Sequence, residues 1–244
     1  MQIYRLFRVL MLASLATLFA GCASGPPPAL PTPTPLPPAP VLSIGDVLVE
    51  PQRWSGQQIV LVAQMGIQAE EQVLVASSGS DDLAAVQPNQ AIWLAEPPAA
   101  EIRSQIQAGD NIVKIRGRLS PPGAYGRDQQ FPYQISAEQI DVLAPERTTL
   151  ANLAQNPQAL DQILLSVEGT LLAQQNSALL TDEVSEGGVP TGQHQIKLSP
   201  TTIDRAVFDK LNSSGEVRWG KVQVIGWWQD ATLTPFKIIL AQQD

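Results

Sequence analysis

The chain is 244 residues long, room for one large domain or two small ones, and carries 23 acidic against 15 basic residues, a formal net charge of −8. Its single Cys and single His exclude an intramolecular disulfide and a structural zinc site built of Cys and His, which takes four ligands. Hydrophobic residues at 44% and charged residues at 16% supply a core through most of the length.

Arg5 and Arg8 precede an apolar or small stretch from Val9 to Ala20, 12 residues long. A bilayer span needs about 20 such residues, whereas the core of a signal peptide needs fewer. The stretch runs into Phe19-Ala20-Gly21-Cys22, and the only Cys of the chain stands at its end. This segment resembles the lipobox of bacterial lipoproteins, with Phe19 where that motif has Leu and Leu18 one place earlier. The resemblance implies a signal peptide over 1–21, a diacylglycerol on the Cys22 thiol, cleavage before Cys22 and acylation of the new amine. It also implies an extracytoplasmic protein of the cell envelope, held to a membrane by its lipid. Each buried CH₂ contributes ~0.8 kcal/mol, so two or three acyl chains hold a soluble domain where one does not. Ala23 stands where an Asp would resemble an inner-membrane retention signal, so the outer membrane is open to it. Residues 22–244 keep 13 basic and 23 acidic side chains, a net charge of −10.

Residues 26–40 read PPPALPTPTPLPPAP, with Leu30 and Leu36 the sizeable apolar residues. Proline fixes φ and donates no backbone hydrogen bond, so this stretch forms neither helix nor sheet. Extended polyproline II at ~3.1 Å per residue reaches roughly 45 Å. The segment over 22–41 reads as anchor and stalk. A PxxP ligand is the rival reading, and partner domains for that motif are mostly intracellular.

The remainder is one unit written twice. Pro51-Gln52 lies on Pro157-Gln158, and without a gap Ile59, Leu61 and Ala63 fall on Leu165, Val167 and Gly169. Val113 to Gly117 lies on Val222 to Gly226, and Pro132-Tyr133-Gln134-Ile135 on Pro235-Phe236-Lys237-Ile238. The two copies cover 42–144 and 147–244. Each starts with a short helical lead-in (44–50; 150–155) that stops at Pro51 or Pro157. Strands are expected at 58–65, 72–77 and 91–95 in the first copy, and at 163–171, 178–181 and 195–198 in the second. Leu165, Val167, Gly169 and Leu171 alternate with polar residues, the pattern of a half-buried strand. A helix follows in each copy, opened by Pro98 or Pro200 and closed by Gly109 or Gly215, with apolar residues at i, i+4. Two more strands end each copy, at 112–119 and 133–142, then at 217–228 and 236–241.

Strand-strand-strand-helix-strand-strand resembles the OB-fold, a five-stranded, partly open barrel with its helix between strands three and four. The fold class expected is therefore mainly β, two tandem OB-like barrels. Another small barrel or sandwich is the alternative. Gly117 and Gly226 fall in mid-strand, where a small barrel bends or bulges.

OB-folds commonly bind oligonucleotides or oligosaccharides on the face of strands two and three and through loops 1–2 and 4–5, which does not by itself assign a function. Lys114, Arg116 and Arg118 alternate along strand four of the first copy and share its outer face. With Trp93, Tyr125 and Arg127 they make a cationic and aromatic group suited to phosphate or to a stacked base. Against it, the first copy holds 6 basic and 12 acidic residues and the second 7 and 10, a balance that repels nucleic acid. A solvated strand face is the simpler account. Trp228 points inward by alternation, while Ile225 and Trp227 point outward and suit contact with the other barrel across the short linker 144–147. Asp81-Asp82 and Asp182-Glu183 with Glu186 read as solvated turn acids rather than a calcium loop. His194 has no nucleophile and orienting acid marked around it. The expectation is a non-enzymatic binding or scaffolding lipoprotein, without cofactor or metal, whose partners are a membrane and an envelope protein. The alternative is a binder of single-stranded nucleic acid or another anion.

Overall fold

Ser43 and Thr149 begin the two copies in the same way. Ser43 ends a short strand and Thr149 follows one, and each caps the helix that comes next. The computed structural model describes residues 39–68, 71–76, 87–109, 111–174, 177–199, 203 and 205–241. The signal segment, Cys22, the tether as far as residue 38, Asp81-Asp82 and Pro200 lie outside the described residues. Residues 39–244 form one compact unit.

Strand β1 (Val41–Ser43) leads into α1 (Ile44–Val49). Ser43 Oγ accepts from Asp46 N at 3.2 Å and Asp46 Oδ2 accepts from Ser43 N at 2.8 Å, a reciprocal cap. In the second copy β7 (Glu146–Thr148) leads into α4 (Leu150–Gln155), where Thr149 Oγ1 accepts from Asn152 N at 3.1 Å. Ile44 and Val47 plug one barrel, Leu150 and Leu153 the other. Both short strands add in parallel to the first strand of their own barrel, Val41 beside Val60 and Arg147 beside Ser166. They escape the sequence reading because three residues are too few to show a period.

After α2 (Pro51–Trp54), the first barrel consists of β2 (Gln58–Gln68), β3 (Glu71–Val75), β4 (Ala91–Leu94), β5 (Ile112–Leu119) and β6 (Gln134–Val142). They close in the order β2-β3-β4-β6-β5 and back to β2, with β4 and β6 parallel. Helix α3 (Ala100–Gln107) lies between β4 and β5 in the chain, with Ile106 buried and Gly109 past its end at φ 110. The second barrel consists of β8 (Ile163–Gln174), β9 (Ser177–Thr181), β10 (Gln195–Leu198), β12 (Val217–Gln229) and β13 (Thr232–Leu240). It closes in the same order, with β10 and β13 parallel at Leu198 and Leu233. This is the expected mainly-β architecture of two OB-like barrels, each with its own apolar core.

The duplication is visible in the pairing. Ile59, Leu61 and Ala63 oppose Gly117, Ile115 and Val113; Leu165, Val167 and Gly169 oppose Gly226, Val224 and Val222. Both barrels bulge at the same place, between Arg116 and Gly117 and between Ile225 and Gly226. A Cβ on Gly117 would collide with the Ser136 carbonyl oxygen, and one on Gly226 would lie 2.7 Å from the Thr234 carbonyl oxygen.

Two details of the expected pattern are corrected. In the second copy the helix is a single turn, α5 (Arg205–Phe208), and the chain then forms β11 (Asn212–Ser214), a hairpin with β12. Gly215, at φ 60, turns that hairpin instead of closing a helix. Asn and Ser compete with helical backbone bonds through their own side chains, and Leu211 packs where a Cβ on Gly220 would stand. The fifth strands also align differently. Gly117 opposes Ala137 and Gly226 opposes Pro235, so the counterpart of Phe236 is the bulge residue Glu138 and not Tyr133. The shared Pro-aromatic-x-Ile pattern is misleading because loop 4–5 is long in the first copy (120–133) and a tight turn at Asp230-Ala231 in the second.

Candidate functional site

The cationic and aromatic group expected on the first barrel is divided in three. The Lys114 ammonium lies 5.8 Å from the centroid of the Trp227 ring, against the other barrel. Arg116 and Arg118 are exposed on the outside of β5, and Arg118 Nη1 donates to the Gly56 carbonyl at 2.9 Å. Trp93 sits across β6 from that row and packs on Phe131, ring centroids 5.4 Å apart. Phe131 and Tyr125 pair through their backbones, and Tyr125 OH donates to the Pro121 carbonyl at 2.6 Å. Loop 4–5 thus folds over the outside of β3 and β4, where Val73, Val75 and Ala91 are buried with Trp93 and Phe131. Part of the usual OB ligand face is covered by the protein itself. Arg127 is exposed on the same loop.

Ile225 and Trp227 lie where the two barrels meet. Val62, Ile112, Leu164, Trp227 and Phe236 form one buried cluster, with Val41, Leu143 and Ile225 against it. The first barrel contributes the outside of β2 and β5, the second the outside of β8, β12 and β13. Trp227 Nε1 donates to Gln229 Oε1 at 3.1 Å, and Gln229 Nε2 to the Val41 carbonyl at 3.5 Å. Trp228 turns the other way into the second core, its Nε1 donating to the Pro157 carbonyl at 2.8 Å.

The outside of the second barrel carries an open concavity of about 590 Å³. Arg147, Glu168, Asp182 and Lys221 line it, with Ser166 and Gly169 among its other residues. Arg147 and Glu168 are exposed; Lys221 Nζ donates to the Asp182 carbonyl at 3.1 Å, and Gln223 Nε2 donates to Ser166 Oγ at 2.8 Å. Charges of both signs along it let it hold a polar partner at several points. Apart from Asp182, a turn acid in the sequence, none of the charged residues here stands out one at a time. Their outward placement on alternating strands was readable, but the groove needs β7 alongside β8, a pairing the sequence does not announce.

His194 stands beside this groove. Its Nδ1 lies 2.7 Å from Asp182 Oδ2, which also accepts from His194 N at 3.1 Å. Asp182 orients the ring as an acid orients a catalytic imidazole. Among the described residues, no hydroxyl or thiol is hydrogen-bonded to its other nitrogen, and the contacts tie together the two ends of the loop 182–194. No group of three or more His, Cys, Asp or Glu side chains is placed to hold a metal among the described residues, which include Asp182, Glu183 and Glu186. No helix among them is long and apolar enough to cross a membrane.

No protein-family model and no curated protein matches this chain. Among solved structures it is similar to a DUF3299 family protein from Pseudomonas aeruginosa PAO1, at 16% identity over 50% of this chain and 91% of that one, with a TM-score of 0.27. At that score the likeness bears on neither fold nor function.

Proposed function

We propose that this is a lipid-tethered, extracytoplasmic binding protein of the bacterial envelope. In this reading diacylglycerol on Cys22 holds it to a membrane, the prolines of 26–40 act as a stalk, and the second barrel meets a polar partner in the groove of Arg147, Glu168 and Lys221. The observation that carries it is the position of the only Cys, between a 12-residue apolar run and a proline-rich stretch. A binding role is supported by the open groove on the second barrel, which carries charges of both signs. Single-stranded nucleic acid is the weaker alternative: the chain is acidic, and Lys114 of the basic row is taken up against Trp227.

The test is fractionation of cells expressing the chain and its Cys22→Ser variant, with labelling by a fatty acid. The unmodified protein is expected in membranes and labelled, the variant unlabelled and released. Equal retention and no label on either would overturn the tether.

A further inference from the structure

Each barrel presents the same two outer faces, and the contact between the barrels uses one of each. The first face lies over the lead-in strand and the near parts of strands one and four. In the first barrel it consists of Val41, Val60, Val62, Ile112 and Lys114. The matching register places Arg147, Ser166, Glu168, Lys221 and Gln223 at the same positions of the second barrel. The second face lies farther along and includes the bulge. In the second barrel it consists of Leu164, Ile225, Trp227 and Phe236, and in the first of Gln58, Arg116, Arg118 and Glu138.

The apolar versions meet in the buried cluster between the barrels. The contact is therefore heterologous, first face to second face, like the contact of a growing array rather than of a closed pair. It leaves one spare copy of each face: the first face on the second barrel, which forms the floor of the groove, and the second face on the first barrel. Both spare copies carry polar residues where the joined copies are apolar, Lys114 and Gln223 being the one position polar in both. Leu164 and Phe236 are replaced by Gln58 and Glu138, whose side chains hydrogen-bond at 2.6 Å. Ile225 and Trp227 are replaced by exposed Arg116 and Arg118, Val62 by Glu168 and Ile112 by Lys221.

We propose that these polar replacements are what limits the array to two barrels, and that the partner the spare faces would otherwise take is a second copy of this chain. Docking in the same geometry would set Arg118 against Glu168, since their counterparts Trp227 and Val62 share one buried cluster, and would take both charges out of water without the apolar area of the existing joint. Desolvating such a pair can cost more than its attraction returns, where an apolar pair of similar volume would be favourable. A joint of unlike faces is not used up by one pairing, so without this device each added chain would expose the site for the next until a ring closed.

The test uses the whole chain in detergent, followed by sedimentation velocity. One variant makes the spare second face apolar, Gln58→Leu/Arg116→Ile/Arg118→Trp/Glu138→Phe. The other makes the spare first face apolar, Arg147→Val/Ser166→Val/Glu168→Val/Lys221→Ile. Each alone, like the unmodified chain, should run as a monomer. An equimolar mixture should give one-to-one complexes, and a chain with both sets should give oligomers that lengthen with concentration. Where a fourfold variant fails to fold, Arg116→Ile/Arg118→Trp and Glu168→Val/Lys221→Ile serve as the pair. A mixture of folded variants that stays monomeric overturns the proposal. So does self-association of the unmodified chain that Arg118→Glu abolishes. Neither result touches the proposed tether.

Discussion

Lys114 and Trp227 face each other across the two barrels, the ammonium 5.8 Å from the indole centroid. One comes from strand four of the first copy, the other from strand four of the second. Trp227 is buried and belongs to the cluster that joins the barrels. Trp227→Ala should cost about 3–5 kcal/mol of unfolding free energy, as buried Trp truncations do. Lys114→Met keeps the apolar stem and removes the cation, so it should cost no more than about 1 kcal/mol. Urea titrations of both variants measure the difference.

The aligned glycines at the two bulges have no room for a methyl group. Gly117→Ala and Gly226→Ala should each destabilise by about 1–3 kcal/mol through overpacking against a backbone carbonyl. Gly45, within α1, is the control. A Cβ there meets Ser43 Oγ at 3.5 Å, an ordinary contact, so Gly45→Ala should stabilise by about 0.5–1 kcal/mol. Thermal unfolding of the three variants separates the two signs.

The helical plugs depend on their caps. Thr149→Ala removes the acceptor for Asn152 N and should lose about 1 kcal/mol. Ser43→Ala should lose a similar amount in the first barrel. Amide exchange should quicken first in α4 or α1 and leave the central strands protected.

Loop 4–5 of the first barrel is fixed by Gly126, at φ 81, where a Cβ would lie 2.7 Å from Phe131 and 3.4 Å from Trp93. Gly126→Ala should unseat Phe131 from Trp93. Amide exchange at Phe131 N, which donates to the Tyr125 carbonyl at 3.1 Å, should lose its protection. Unchanged protection would mean that the loop does not depend on this packing.

Period-two alternation made most of the barrel readable, because an inward row on one strand needs inward rows on its neighbours. Leu165, Val167, Gly169 and Leu171 mark β8 that way, and Val113 and Ile115 mark β5. The single-turn helix at Arg205 was harder. Ile203, Val207 and Leu211 keep a helical spacing, yet Leu211 already belongs to the approach to β11. The site was legible only in part. Alternation placed Ile225 and Trp227 on the outside, whereas the partner of Lys114 depended on how the barrels meet. No spacing within one copy carries that information. Comparing the copies position by position does, since Val62 against Glu168 and Trp227 against Arg118 differ in polarity at matched places.

Scanning calorimetry of residues 39–244, unmodified and with Trp227→Ala, bears most directly on two barrels locked through unlike faces. The unmodified unit should melt in one transition, and the variant should resolve into two, with each barrel unfolding on its own. A single transition at an unchanged temperature in Trp227→Ala would contradict the joint and the face assignment derived from it.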